Sequence, residues 1–143
     1  DNALTHRAPL NWRGAIDVKA LGGREVIDLK LQGTAIFVDV ARLYGLAHGV
    51  AATGTRARLE AVGRALALEP QESESWVGAF EFLQLLRLQV QLDAGSREAV
   101  SAHYGNANLV DVSALNDIDR RMLKESLRIA RRLQQRMELD YQR

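Results

Sequence analysis

The chain passes from a strand pattern to a helix pattern between Ile27-Asp28-Leu29-Lys30 and Phe37-Val38-Asp39-Val40-Ala41-Arg42-Leu43-Tyr44-Gly45-Leu46. The first stretch ends a β-rich run. In the second, apolar residues recur every three or four positions, which is the period of one face of an α-helix. Asp39 and Arg42 lie three residues apart within it, so their side chains can pair on the helix surface. The sequence therefore predicts a short β segment followed by a helical region that begins near residue 34.

A β-hairpin is predicted upstream of this point, over residues 14–30. Two β-rich runs, Ala15-Ile16-Asp17-Val18 and Val26-Ile27-Asp28-Leu29, are separated by Leu21-Gly22-Gly23-Arg24. Gly-Gly between such runs indicates a tight turn, because glycine adopts positive φ without steric cost. Residues 1–13 contain Pro9 but no periodic pattern, and we expect them to form an extended leader.

Three helices are predicted directly after the hairpin. Gly49 is the expected stop of the first helix. Thr55 is expected to cap the second helix, and Pro70 to close that segment. The third helix is expected to begin at Ser73 or Ser75 and to run to about residue 93.

A fourth helix is predicted at the C-terminal end of the chain. Asn116 can cap it, and its pattern ends near Asp140. Asp117 and Asp119 fall in its first turn, where the helix dipole favours negative charge.

Residues 95–115 are the least regular part of the chain, with one helical turn expected near residues 97–102. The loop expected beyond that turn holds Asn106, Asn108 and Asp111. Taken with the four helices, this pattern predicts an all-α fold, an antiparallel four-helix bundle over residues 34–140 with a small N-terminal β-hairpin.

Composition narrows the class of protein. The 143 residues are 47% hydrophobic and 26% charged, which suits a single domain, residues 1–143, with its own core. The formal net charge of +1 provides no general attraction to nucleic acid or to an anionic membrane. There is no cysteine, so a disulfide framework and a thiolate metal site are excluded. No apolar run approaches the roughly 18 residues of a membrane span. We expect a cytoplasmic protein and, because the chain begins with Asp1, a piece excised from the C-terminus of a longer multidomain one.

Arg87 is the least expected residue of the predicted third helix. It falls on an otherwise apolar row with Phe80, Leu83 and Val90, where an unpaired guanidinium would be costly to bury. It therefore needs a carboxylate partner or a ligand anion. One interpretation is an internal Arg–Asp network, with Asp28 or Asp39 as the partner, that fixes how the helices pack. The other is a polar stripe, completed by Gln84 and Gln91, that lines a ligand or partner-domain cleft.

The order and spacing of five stretches resemble the nucleotidyltransferase substrate-binding domain family, over about residues 11–137. Besides the two stretches quoted first, they are Thr55-Arg56-Ala57-Arg58-Leu59, Leu86-Arg87-Leu88-Gln89-Val90-Gln91 and Leu123-Lys124-Glu125-Ser126-Leu127-Arg128-Ile129. This helical module closes a group of bacterial signalling proteins that also carry cyclic-nucleotide-binding, CBS-pair and nucleotidyltransferase-like domains. The resemblance implies a parent protein with a nucleotidyltransferase domain just N-terminal, similar to the uridylyltransferases that modify PII signal proteins.

The resemblance further implies an accessory domain that helps to hold the acceptor substrate or the nucleotide and is not catalytic by itself. The positions expected to contact them are Lys30, Arg42, Arg87 and Gln91. The expected members of a structural polar network are Asp28, Asp39, Arg42 and Arg87. The domain itself is expected to bind no cofactor, whereas the parent would use magnesium and a nucleoside triphosphate.

The expected partner is the adjacent nucleotidyltransferase domain, with an acceptor protein and a second copy of the chain as further candidates. Neither nucleic acid nor a membrane is expected as a partner. An alternative function is a regulatory or dimerisation module that relays ligand state from CBS or cyclic-nucleotide-binding domains to the nucleotidyltransferase domain. A third, a free-standing nucleic-acid-binding protein, requires steeply salt-dependent DNA affinity, and the near-neutral charge argues against it.

Two patterns that imitate functional sites are interpreted as structural. Gly95-Ser96 followed by Asp117-Ile118-Asp119 imitates nucleotidyltransferases, in which two carboxylates hold magnesium. Here the aspartates open a helix, and alternate positions share a face on a strand but not on a helix. The histidines His6, His48 and His103 lack the i, i+4 spacing of a helical metal site. We therefore assign no catalytic residue and no metal ligand.

The last predicted helix is rich in cations, several of which share a face at i, i+4 and i+8. They are Arg120, Arg121, Lys124, Arg128, Arg131, Arg132 and Arg136. A solvated face is the simplest interpretation, and a surface for phosphate, an acidic partner or nucleic acid is the alternative. No interleaved aromatic residues support base stacking.

Overall fold

The computed structural model describes residues 19–21, 24–93 and 106–141, which form four α-helices and a small antiparallel sheet. The helices are α1 (Ala35–Ala47), α2 (Thr55–Ala65), α3 (Pro70–Asp93) and α4 (Asp117–Tyr141). The prediction of an all-α bundle with a small N-terminal hairpin is confirmed. None of these helices combines the length and the apolar character that crossing a bilayer requires.

The sheet has three strands in the order β1-β2-β3, namely β1 (Lys19–Leu21), β2 (Arg24–Asp28) and β3 (Leu109–Asp111). Leu21 pairs with Arg24, so β1 and β2 are joined at Gly22-Gly23, as predicted for the turn, and these two residues lie outside the described ones. Strand β1 lies closer to the turn than the predicted first run, and Leu21 and Arg24 belong to the strands. The third strand was expected to be loop. It is only three residues long, too short to show a period of two in the sequence. The predicted leader, the run Ala15–Val18 and the turn near 97–102 also lie outside the described residues.

A π-helical turn, Lys30–Thr34, joins β2 to α1 without a break. Asp28 starts this turn, because its Oδ1 atom accepts hydrogen bonds of 2.9 Å from the backbone N–H groups of both Lys30 and Leu31. Gln32 completes it by accepting the backbone N–H of Asp28 at 2.8 Å. Short acidic side chains favour such local bonds over a continued strand. The aspartate that ends the β run therefore also opens the helical part of the chain.

Two of the predicted helix boundaries are confirmed. Gly49 ends α1 in the left-handed conformation, with φ 64°. Asn116 caps α4, because its Oδ1 atom accepts the backbone N–H of Asp119 at 2.8 Å. Both signals act within three residues of the boundary.

Two other boundary predictions are wrong. Thr55 is the first residue inside α2, whose N-cap is Gly54, and no side chain caps this helix. The third helix begins at Pro70 rather than at Ser73 or Ser75. Proline suits the first helical position because its missing N–H has no acceptor there in any case. The two serine hydroxyls instead donate to carbonyls three residues back, at 3.2 and 2.7 Å.

The core lies between the four helices, and the inner face of the sheet adds Ile27 and Val110 to it. Every helix supplies side chains that are fully buried. They include Phe37, Leu59, Leu83, Leu127 and Met137. Burying a side chain of this size stabilises the fold by about 1.5–3 kcal/mol.

Helix α3 runs antiparallel to its three neighbours. Its C-terminal half lies beside the start of α1, where Arg87 bonds Thr34, and its middle lies farther along α1, where Phe80 and Phe37 have ring centroids 6.0 Å apart. Its first turn lies beside the end of α4. This orientation brings the π-helical turn, β3 and the C-terminal half of α3 to one end of the bundle.

Candidate functional site

Arg87 lies partly buried on the C-terminal half of α3, facing the π-helical turn. Its Nε donates to Asn108 Oδ1 at 3.1 Å, and one terminal nitrogen donates to Thr34 Oγ1 at 3.3 Å and to Gln84 Oε1 at 3.2 Å. All three acceptors are neutral. Among the described side chains, no carboxylate oxygen lies within 4.0 Å of this guanidinium.

The prediction that Arg87 pairs directly with Asp28 or Asp39 is therefore wrong within the described residues. Asp28 is reached only indirectly. Asn106 Nδ2 donates to Asp28 Oδ2 at 2.9 Å, and Asn106 Oδ1 accepts the backbone N–H of Asn108 at 2.9 Å. Asp28 already accepts two backbone N–H groups in the π-helical turn, so it is occupied by the chain that it caps. We call Arg87, Thr34, Gln84, Asn108, Asn106 and Asp28 the Arg87 network.

Asp39 and Arg42 form a separate pair on α1. Arg42 approaches Asp39 to 4.0 Å, and the Arg42 side chain is 63% exposed. Neither residue shares a hydrogen bond with the Arg87 network. The four residues expected to form one structural network thus belong to two groups, because Arg42 lies eight residues beyond Thr34, about 12 Å farther along the helix axis.

The four predicted contact residues are likewise divided. Lys30 is exposed at the start of the π-helical turn, and Gln91 is exposed one turn beyond Arg87 on α3. These two residues lie at the same end of the bundle as Arg87, because the turn packs against α3. Arg42 lies along α1 towards the opposite end. The fold therefore collects three of the four residues and leaves Arg42 apart.

Sequence reasoning placed Gln84 beside Arg87, and its amide does accept from the guanidinium at 3.2 Å, but it missed the other polar residues of the network. Asn106 and Asn108 were expected only as loop residues, and Thr34 only as the start of a helix. The contacts join residues 21, 53 and 78 positions apart. The available signal was the polar pair Asn106-x-Asn108 directly before an apolar run, which indicates a turn but not its partner.

The residues that imitate catalytic or metal sites have structural surroundings. Asp117 and Asp119 lie in the first turn of α4, as predicted, where Asp119 is bound by the Asn116 cap. Gly95-Ser96, His6 and His103 lie outside the described residues. Within the described ranges, no group of three or more histidine, aspartate or glutamate residues is placed to hold a metal ion.

A second polar cluster lies at the other end of the bundle, and we call it the Tyr44 cluster. The buried Tyr44 hydroxyl donates to Asp140 Oδ2 at 2.6 Å. Arg136 lies between two carboxylates, 3.9 Å from Asp140 and 3.8 Å from Glu72 on α3. Burial, and then the hydrogen bond to Asp140, raise the pKa of Tyr44 above its ordinary value. This cluster joins the C-terminal ends of α1 and α4 to the first turn of α3.

The chain matches a known family over nearly its whole length. A family model with the description "Putative nucleotidyltransferase substrate binding domain" covers residues 1–141. The chain belongs to this family. No curated protein and no solved structure matches it. The match covers all four helices, and the family description indicates a substrate-binding role that involves a nucleotidyltransferase.

Proposed function

We propose that this chain is a non-catalytic accessory domain that helps a nucleotidyltransferase hold its nucleotide or acceptor substrate. The observation that supports this function, beside the family match, is the state of Arg87. Its guanidinium is oriented by three neutral acceptors, and no described carboxylate neutralises it. Such a group is held in place but keeps its full charge for an anion, to which arginine bonds with a planar fork.

Two further predicted contact residues lie at the same end of the bundle as Arg87. Lys30 and Gln91 are exposed there and would add a second cation and an amide to a phosphate or carboxylate group. Arg42 lies too far along α1 to share that group. Its contribution would be a contact with a more distant part of the substrate or with the partner domain.

The parent protein that we propose is a bacterial cytoplasmic signalling protein resembling the PII uridylyltransferases. Its catalytic domain would supply the carboxylates that hold magnesium and the nucleoside triphosphate, and an acceptor protein would complete the complex. In the described part of this chain, Asp117 and Asp119 lie on a helix rather than on a strand, so they are not placed to hold magnesium together. We therefore expect the chain alone to transfer no labelled nucleotide to candidate acceptor proteins. Labelling that is lost in Asp117→Asn or Asp119→Asn would contradict this.

Calorimetric titration tests the binding role directly. The chain is titrated with ATP, UTP, GTP and CTP, each with magnesium, and then as the variants Arg87→Ala and Arg87→Lys. We expect one nucleotide to bind, with affinity lost in Arg87→Ala and partly retained in Arg87→Lys. The control is Arg128→Ala on α4, which should bind like the wild type. Equal binding by Arg87→Ala would remove Arg87 from the site, and the absence of heat with every nucleotide would leave the acceptor as the only ligand to test.

A regulatory or dimerisation module is the second candidate, and an exposed apolar face favours it. Leu85, Leu88 and Leu92 lie on one side of the C-terminal half of α3 and are 60%, 52% and 75% exposed. Aliphatic side chains grouped in this way are typical of a surface that meets another protein surface. Light scattering separates the two functions. A monomer that binds nucleotide supports the accessory role, whereas a dimer without nucleotide affinity that Leu88→Asp dissociates supports the relay.

A further inference from the structure

Helix α4 carries a line of cations on the side that faces away from the core. Arg121, Lys124, Arg128 and Arg132 occupy positions i, i+3, i+7 and i+11, which fall on one face of a helix. Arg121 and Arg132 are exposed, Lys124 is partly exposed, and the Arg128 side chain is 47% exposed. The line spans about 16 Å. We call these four residues the basic stripe.

The charges of the basic stripe are mostly uncompensated within the described part of the chain. The side chains of Arg121, Lys124 and Arg132 make no hydrogen bond or ion pair there. Arg128 approaches Glu125 to 3.5 Å, and Glu125 is itself 57% exposed. By contrast, Arg136 one turn farther on has two carboxylates within 4 Å, those of Glu72 and Asp140. The four cations are regularly spaced on one helix face and have at most one local counter-charge. They can therefore pair with negative groups of a partner that are spaced at the same intervals.

A groove of about 530 Å³ adjoins the C-terminal end of the stripe, between α4 and the first turns of α3. Trp76 and Leu133, both nearly fully buried, line it together with Arg132 of the stripe. Leu139 lines it too and is 84% exposed. The basic stripe therefore leads into a partly apolar groove, so that charged and apolar contacts are available along one line.

We propose that the basic stripe and its groove bind an acidic amphipathic helix of a protein partner. Carboxylates spaced three and four residues apart on such a helix repeat at the same intervals as the four cations, and a large apolar side chain near its end would cover Leu139. This surface is distinct from the Arg87 network and serves a partner rather than the nucleotide. It extends the proposed function without depending on it.

The same observations favour a protein helix over nucleic acid. The net charge of +1 leaves little long-range attraction for a phosphate backbone, and exposed charges are screened beyond about 8–10 Å at physiological salt. Leu139 gains only from an apolar contact, which a phosphate backbone does not provide.

The test uses two synthetic peptides of about 18 residues, long enough to hold helical structure. The matched peptide carries Glu at i, i+3, i+7 and i+11 with Leu one turn beyond, and the control peptide has the same composition with Glu distributed around the helix. Affinity is measured by fluorescence anisotropy for the wild type and for Arg128→Glu/Arg132→Glu. Arg128→Gln/Arg132→Gln serves as a milder variant, and circular dichroism checks the fold of each. Arg64→Glu, an exposed arginine on α2, is the matched control.

We expect the matched peptide to bind about tenfold more tightly than the control peptide, and the charge reversal to weaken it by about tenfold or more. The Gln variant should fall between, Arg64→Glu should bind like the wild type, and affinity should fall as salt is raised. Equal binding of both peptides, or equal binding by a folded reversed variant, would overturn the proposal. So would tighter binding of a single-stranded RNA or duplex DNA oligonucleotide that is lost in the same variant.

Discussion

The two halves of α3 hold arginine in opposite ways. At its first turn, Glu72 faces Arg136, which also lies near Asp140, so the cation has carboxylates on two sides. In its second half, Arg87 is held by Asn108, Thr34 and Gln84, all neutral. The Tyr44 cluster therefore supplies carboxylate counter-charges for its cation at one end of the bundle. In the Arg87 network, the guanidinium is oriented by neutral acceptors and contacts no described carboxylate, which suits a ligand anion that arrives later.

The two halves of α3 also differ in how far their apolar side chains are covered by other helices. Beside its first half, α2 packs so closely that a Cβ atom on Gly63 would lie 2.6 Å from Ser73 Cβ. Beyond the start of α2, the second half of α3 exposes Leu85, Leu88 and Leu92. A short α2 thus leaves one half of α3 covered and the other half available. Stability is expected to be sensitive at the first half, and binding at the second.

The largest expected effect tests the close packing. Gly63→Ala should lower the free energy of unfolding by about 1–3 kcal/mol, because the new methyl group meets a Cβ atom that cannot move without its helix. The matched control is Gly78→Ala on α3, where an added Cβ meets nothing within 4 Å. That variant should be more stable by about 0.5–1 kcal/mol, since alanine is the better helix former. Urea denaturation measures both, and equal shifts in the two variants would mean that the α2–α3 contact is looser than the structure shows.

Arg87→Ala comes next and compares the two kinds of cluster. It should lower the free energy of unfolding by about 1–2 kcal/mol, because Asn108 and Gln84 lose a donor but no carboxylate is left without a partner. A buried ion pair would instead lose about 3–5 kcal/mol. Arg128→Ala should change stability little, since its pair is exposed. A loss as large as that of a buried ion pair, measured by thermal unfolding, would show that Arg87 has an anionic partner beyond those described.

The extent to which sequence predicts these features depends on how far apart the interacting residues are. Gly49 and Asn116 were predicted because a helix stop or cap acts on the next few residues. The otherwise apolar helical row around Arg87 also predicted that its guanidinium needs polar partners. Gln84, three residues away on the same helix, was named beside it, whereas Asn108 and Thr34 were not, because they lie 21 and 53 residues away in the sequence.

Strand β3 and the contact between Asn106 and Asp28 were missed for the same reason. Asp28 was expected to be available as a carboxylate partner for Arg87. Instead it accepts hydrogen bonds from the backbone of the π-helical turn and from an asparagine 78 residues away. Thr55 and the two serines near the start of α3 were mispredicted because several residues compete for each helix start. In α3, Pro70 supplies the first helical position, and the serines bond within the first turn instead.

Removing one hydroxyl tests the Tyr44 cluster. Tyr44→Phe should lower the free energy of unfolding by about 1 kcal/mol near neutral pH, because the bond to Asp140 is short but its acceptor is partly exposed. Tyr141→Phe is the matched control. The Tyr141 ring packs edge-on against the Tyr44 ring, with centroids 5.3 Å apart. Removing the Tyr141 hydroxyl should change the free energy of unfolding little.

The pH dependence of this pair sharpens the assignment. The pKa of Tyr44 is raised in the folded chain, so the folded state keeps a proton that the unfolded state loses above about pH 10, the ordinary pKa of tyrosine. The folded state then binds more protons, and its stability must fall as the pH rises further. The advantage of the wild type over Tyr44→Phe should therefore shrink above about pH 10. An advantage that is constant or grows with pH would show that Tyr44 does not hold its proton in the folded chain.

The smallest expected effect separates the two arginines that the sequence had grouped together. Arg42→Ala should change the free energy of unfolding by less than about 0.5 kcal/mol, because the Arg42 side chain is 63% exposed and reaches Asp39 only at 4.0 Å. The variant for comparison is Arg87→Ala, for which the expected loss in the free energy of unfolding is several times larger. Guanidinium denaturation screens surface charges, so the comparison is made in urea at low and at high salt. A clear loss of stability in Arg42→Ala would show that Arg42 belongs to the structural polar network, as the sequence predicted. A loss of activity in the parent protein without a loss of stability would instead assign it to the substrate or to the neighbouring domain.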